Sequence, residues 1–138
     1  MQWDAGPDAG FTSGTPWIAV NPNYPDINAR AQTEDPESVF AHYRALIELR
    51  HNEPVVAYGD FRMLLPTDPV VYAFTRSWRG RTLLVVGNFS AEPAPAPVPN
   101  EPLWAAAELV LGNYPPPMGV TDQIVLRQWE ARIYRQAT

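Results

Sequence analysis

Three patterns of apolar and polar positions follow one another along the chain. In residues 1–34 the side chains of Trp3, Phe11, Trp17, Ile18, Val20, Tyr24 and Ile27 recur with a period of neither two nor 3.6. Gly6, Gly10, Gly14, Pro7, Pro16, Pro22 and Pro25 interrupt them, so neither strand nor helix fits. A run of that length without regular structure is either a functional loop or disorder. Its aromatics, Trp3, Phe11, Trp17 and Tyr24, are what disordered segments lack. The segment therefore reads as an ordered loop whose rings pack on something.

The second pattern is helical. Asp35-Pro36-Glu37-Ser38 supplies an Asp N-cap, a proline at the first helical position and an acidic residue facing the dipole. From there to Arg50, the residues Val39, Phe40, Tyr43, Leu46, Ile47 and Arg50 share one side at helical spacing. Such an apolar stripe is unusual if left bare on a soluble monomer. The N-terminal loop or a second copy of the chain is expected to cover Val39, Tyr43, Leu46 and Ile47.

The third pattern, from residue 53 onward, is a series of short apolar runs between turn residues. Val55–Tyr58 ends at Gly59-Asp60, Phe61–Leu65 ends at the prolines from Pro66, and Val70–Thr75 leads to Arg79-Gly80. Thr82–Phe89 is apolar on both faces and reads as a central strand. Glu108–Leu111, Gln123–Leu126 and Ala131–Arg135 complete about seven or eight strands, which suggests an antiparallel sandwich. Residues 91–102 carry proline at nearly every second position. That stretch is an edge strand or a polyproline II segment, and Pro115-Pro116-Pro117 is a surface loop.

Composition narrows the function classes. With 138 residues, 46% hydrophobic and 18% charged, the chain can bury one sizeable core. Its net charge is -5 and its ten basic residues are all arginines, dispersed along the chain. Nucleic-acid backbone binding, which needs clustered cations, is not expected. No stretch reaches the ~18 apolar residues of a membrane span, and no signal peptide is visible. Cysteine is absent, which removes disulfides and thiolate chemistry and is compatible with a cytoplasmic location.

Candidate chemistry is sparse. Asp4 with Asp8, and Glu34 with Asp35 and Glu37, are the close acidic groupings ahead of the strands. Acid/base catalysis by a carboxylate pair would need two acids close together with one pKa raised, but loop solvation and helix-terminus charge explain both groupings. His42 and His51 lack a metal-binding pattern, so no metal or cofactor is expected. Ser77 and Ser90 lack a nucleophile-elbow context. Asn88-Phe89-Ser90 fits the glycosylation sequon and reads more simply as a strand end. Among the tryptophans, Trp17 and Trp129 are expected to pack, and Trp78, beside a turn and flanked by arginines, to be the exposed ring.

The order of residues in the leader resembles glycoside hydrolase family 13, in its oligo-1,6-glucosidase, dextran glucosidase and trehalose synthase branch. Met1-Gln2-Trp3-Asp4 looks like the end of that branch's Arg-Thr-Pro-Met-Gln-Trp-Asp run, and Ala9-Gly10-Phe11-Thr12 like its continuation. Pro16-Trp17-Ile18, Val20-Asn21-Pro22-Asn23-Tyr24, Ile27-Asn28, Gln32 and Asp35-Pro36 keep the spacing. Gly87-Asn88-Phe89-Ser90 and Leu126-Arg127-Gln128-Trp129-Glu130-Ala131 resemble two blocks of the domain after the barrel, with Gln128 where the family often has proline.

The resemblance implies three parts: 1–34 as the loop after the last barrel strand, 35–52 as the last barrel helix, and 53–138 as a C-terminal antiparallel Greek-key β-sandwich. It further implies that the aspartate nucleophile, glutamate acid/base and second aspartate belong to barrel strands earlier than this loop. No catalytic residue is expected here, Gln2 and Trp3 would lie nearest the sugar in an intact enzyme, and the partner would be the barrel. An independent carbohydrate-binding or interaction module is the alternative. It would be marked by two or three tryptophans in a row on one sheet face.

Overall fold

The structure, a computed structural model, describes residues 1–96, 104, 106–115 and 124–137. The chain divides into two compact units, Met1–Ile47 and Glu48–Thr138.

In the first unit the leader is ordered but not devoid of regular structure. A tight turn at Pro7–Gly10 puts Asp8, Ala9 and Gly10 in succession in the left-handed region, at φ 51, 57 and 65. Helix α1 spans Ala29–Glu34, in a stretch expected to be loop. Six residues are too few to show a 3.6 period, and the cap does the work instead. Asn28 is buried, accepts from Ala31 N at 3.0 Å, and donates to Tyr24 O at 3.0 Å. Helix α2 spans Val39–Asn52 and starts three residues later than Asp35-Pro36 suggested. Asp35 Oδ1 accepts from Glu37 N in a turn, while Ser38 is the cap, its Oγ accepting from Ala41 N and donating to Gln32 O. The α2 stripe is not covered by the leader: Val39, Phe40, Tyr43 and Ile47 are exposed and Leu46 is half-buried.

In the second unit, Pro54–Tyr58 is a helix, α3, where a strand was expected. Pro54 stands in its first turn and Gly59 follows its last residue, an asymmetry typical of helices. The described strands are β1 (Asp60–Met63), β2 (Val71–Trp78), β3 (Arg81–Asn88), β4 (Ala94–Ala96), β5 (Glu108–Gly112), β6 (Ile124–Leu126) and β7 (Ala131–Arg135). They form an antiparallel sheet in the order β1-β2-β3-β7-β5 and a two-stranded pair, β4-β6. β3 lies between β2 and β7, as its two apolar faces required. A two-residue turn joins β2 to β3, with Arg79 at φ 49 and Gly80 at φ 79, the mirror-image geometry that matches strand twist. Within 91–102, the described part, Ala94–Ala96, is a strand: Pro95 points out and Ala94 and Ala96 point in. Pro116 and Pro117 fall outside the described residues.

One core joins the two sheets. Val71, Ala73, Leu84, Val86 and Tyr134 of the larger sheet cluster with Ala94, Ala96 and Leu126 of the smaller pair. On the opposite face of the larger sheet α3 covers one end. There Val55 and Leu83 are buried, and Arg76 Nη2 donates to Val56 O at 3.1 Å and Ala57 O at 3.4 Å, satisfying carbonyls at the helix end.

Candidate functional site

The residues expected nearest a sugar, Gln2 and Trp3, are held by main-chain bonds on both sides. Trp3 N and Asp4 N donate to Ala9 O at 2.9 and 3.2 Å, while Gln2 O and Trp3 O accept from Ala29 N and Arg30 N at 2.9 and 3.0 Å. The first free N–H groups of α1 are thereby satisfied by the leader itself. Gln2 Nε2 donates to Asn23 Oδ1 at 2.9 Å and to Ile27 O at 3.0 Å, tying the chain start to the segment ahead of α1. Trp3 is half exposed.

One acid of each grouping, Asp4 and Asp35, has structural partners. Asp4 Oδ1 accepts from Gly6 N at 2.9 Å, and its other oxygen lies 3.5 Å from Arg30 Nη2. A Cβ on Gly10 would stand 2.8 Å from that carboxylate and displace it, and the φ of 65 at this position itself favours glycine. Asp35 shapes the turn before α2. His42 is partly buried on α2 and His51 exposed in its last turn. Among the described residues no group of three or more His, Asp or Glu side chains is placed to hold a metal ion.

The aromatics depart from expectation. Trp17 is 92% exposed and Trp129 is 57% exposed, although packing was expected for both. Trp78 is half-buried: Tyr58 lies 6.1 Å from it and the Arg79 guanidinium sits 4.4 Å above its ring. The error came from treating a ring inside a compact sequence block as one packed within this chain. On the sheet face bearing α3 runs an aromatic row, Phe61, Phe74, Tyr72 and Phe89, with successive centroids 5.1, 5.4 and 6.3 Å apart. It contains no tryptophan, and its rings are tilted by 37 to 90° rather than coplanar.

The second unit centres on a turn that sequence reading had marked only as a resembling block. Arg127–Glu130 is the turn that carries the chain from β6 of the smaller pair to β7 of the larger sheet, with Glu130 N donating to Arg127 O and Trp129 at φ 55. Arg127 O accepts from Asn88 Nδ2, Gln128 O from Tyr114 Oη, Trp129 O from Asn113 Nδ2, and Glu130 O from Asn88 N. On the donor side, Arg127 N goes to Glu130 Oε2, Trp129 N to Ser90 O and Ala131 N to Asn113 Oδ1. Among the described residues, Gln128 N–H donates to none of them, and this is where a proline would sacrifice nothing.

Asn88 is 3% exposed, and its side chain also donates to Glu92 O at 2.7 Å and accepts from Ser90 N and Oγ. Both amide hydrogens are thus occupied, which identifies the sequon as a strand-end tie. Beneath the turn, Glu130 and Arg132 form a buried two-pronged pair at 2.7 and 2.9 Å. Arg132 also donates to Tyr134 Oη and Val125 O. Burial alone would push the Glu130 carboxyl up. Hydrogen bonds from Arg132 and Arg127 N–H, with the charges of both arginines, outweigh it and hold the carboxyl below its usual value.

The family profile described as "Alpha amylase, catalytic domain" matches residues 1–59. The chain is a homologue of part of the alpha-amylase-family glycoside hydrolases. Within that family it resembles the C-terminal part of the oligo-1,6-glucosidase branch. It is 43% identical over 136 residues to the oligo-1,6-glucosidase of Parageobacillus thermoglucosidasius, covering 98% of this chain and 24% of that protein. It is 39% identical over 137 residues to the trehalose-6-phosphate hydrolase of Escherichia coli K12, covering 95% of this chain and 23% of that one. The crystal structure of Bacillus licheniformis trehalose-6-phosphate hydrolase superposes with a TM-score of 0.90 at 32% identity, over 99% of this chain and 25% of that chain. The chain thus spans about a quarter of the length of the relatives it matches. No helix among the described residues is long and apolar enough to cross a membrane.

Proposed function

We propose that this chain is the non-catalytic C-terminal part of an alpha-glucosidase of family 13. It comprises the loop after the last barrel strand, the last barrel helix and a Greek-key β-sandwich that stabilises the catalytic barrel. The observation that carries this reading is the match of 98% of the chain to 24% of an oligo-1,6-glucosidase. The whole enzyme would cleave alpha-1,6 or related alpha-glucosidic bonds with retention, or isomerise maltose to trehalose. Its acids would lie in the barrel, with Gln2 and Trp3 near the bound sugar. The Gln2 and Trp3 backbone, fixed on both edges, suits a wall that keeps its shape as substrates come and go.

The purified chain is expected to leave 4-nitrophenyl alpha-glucoside intact. Measurable hydrolysis, abolished by replacing one of the chain's own acids, would overturn the reading. A second reading, an independent carbohydrate-binding module, draws on the aromatic row in which Phe61, Tyr72 and Phe89 are exposed and Phe74 is half-buried. Calorimetry with maltose, isomaltose and glycogen separates the two. Heat at millimolar sugar favours the module and its absence the structural role.

A further inference from the structure

In Met1–Ile47 the polar and apolar halves of folding have been satisfied in different places. The main chain is tied internally, through Ala9 O, the Gln2 and Trp3 carbonyls, the Gln2 side chain and the caps Asn28 and Ser38. Yet Phe11, Trp17, Ile18, Val39, Tyr43 and Ile47 are all exposed. A disordered segment would lack the bonds, and a closed core would hide the side chains. Bonded internally and apolar externally is what one half of an interface looks like.

We propose that this surface, with Trp17 as its anchor, is the docking face for the catalytic barrel of an alpha-amylase-family chain, and that it binds such a barrel without needing a covalent link. This rests on the function proposed above. Two observations select the barrel over a second copy of this chain. The catalytic-domain profile itself extends over residues 1–59, so the exposed side chains lie in sequence that matches the catalytic domain. The relatives that match this chain over 98% of its length devote only 24% of theirs to it, leaving a large protein body outside the matched region. Trp17 is the natural anchor, because exposed tryptophans that become buried at interfaces dominate binding energy.

The test uses the oligo-1,6-glucosidase of Parageobacillus thermoglucosidasius shortened by the quarter that this chain matches. The shortened enzyme is supplied either as a separate polypeptide or fused to this chain. In sedimentation the separate pair is expected to form a one-to-one complex. Trp17→Ala should weaken it at least tenfold, while Trp129→Ala, an exposed tryptophan of the other unit, leaves it unchanged. If the shortened enzyme does not fold alone, the fusion gives the answer: Trp17→Ala lowers its melting temperature but not that of this chain by itself. An active fusion with no complex in trans, or one indifferent to Trp17→Ala, overturns the docking proposal and leaves the functional reading intact. A folded but inactive fusion overturns the functional reading. A dimer of this chain dissociated by Trp17→Ala would put a second copy on the surface and also overturn the proposal.

Discussion

Replacing Asn88 by alanine probes whether the turn before β7 organises the second unit. The substitution deletes four side-chain hydrogen bonds, two donated to Glu92 O and Arg127 O and two accepted from Ser90. At about 1 kcal/mol net apiece they sum to about 4 kcal/mol. Both orphaned carbonyls find another donor: the single Ser90 hydroxyl hydrogen, released from Asn88 Oδ1, can turn to Glu92 O 2.9 Å away, and Glu130 N already reaches Arg127 O. Desolvation therefore falls mainly on Ser90 N–H, and the expected loss is about 3 kcal/mol. Against a typical domain stability of about 5–15 kcal/mol this is large. With a urea slope of about 1.5 kcal/mol/M it moves the unfolding midpoint down by about 2 M, read by circular dichroism. Asn88→Asp keeps the shape but turns a donor into an acceptor facing two carbonyls. It should fall at least as far at pH 7 and recover as acid protonates the new carboxyl. A loss under about 1 kcal/mol for Asn88→Ala, or an Asn88→Asp variant as stable as the parent, would refute the assignment of the turn as the organising point.

Three further outcomes follow from the same unit. Gly59→Ala drives a Cβ into Val55 O and places it 3.1 Å from Ser77 N. Backbone on both sides cannot yield cheaply, so thermal unfolding should show a loss of about 2–3 kcal/mol. Gln128→Pro removes an N–H that bonds to none of the described residues and stiffens the unfolded chain. It should raise stability by about 0.5–1 kcal/mol in chemical denaturation, whereas destabilisation would mean the turn is not shaped as described. The Val71 and Val70 N–H groups hold the Asp68 carboxyl below its usual value, and Glu130 is lowered as well. Because both folded values lie below the unfolded ones, their contribution is complete only above about pH 5.5, clear of both unfolded values, and fades as pH falls through the folded values. Asp68→Asn should flatten that acid limb in a pH series of melting curves.

What the residues disclosed before the structure, and what they withheld, divides along physical lines. β3 was legible because a strand with two buried faces must be apolar throughout. The body of α2 was legible because Val39, Tyr43, Leu46 and Ile47 keep helical spacing over several turns. α3 was misread since Val55-Val56-Ala57-Tyr58 is too short for period to decide and its residues favour strands. The deciding signal was positional, Pro54 at its start and Gly59 after its end. α1 escaped for the same shortness, though Asn28 was a usable cap signal. The exposure of Trp17 could not be read at all, because a sequence records which side chains want cover and not where the cover comes from. For Gln2, side-chain type gave no hint of its bonds to Asn23 and Ile27, which depend on a fold spanning more than twenty positions.

The turn at Arg127–Glu130, between the two sheets, has a practical corollary. Its shape is dictated by amides and carbonyls gripped from outside, by Asn88, Ser90, Asn113 and Tyr114, while the Gln128 and Trp129 side chains project into solvent. Side-chain identity at position 128 is therefore decoupled from local geometry. A single cysteine introduced there would carry a dye or spin label on a stiff mount, giving distance measurements from this unit little of the blur that a floppy attachment adds.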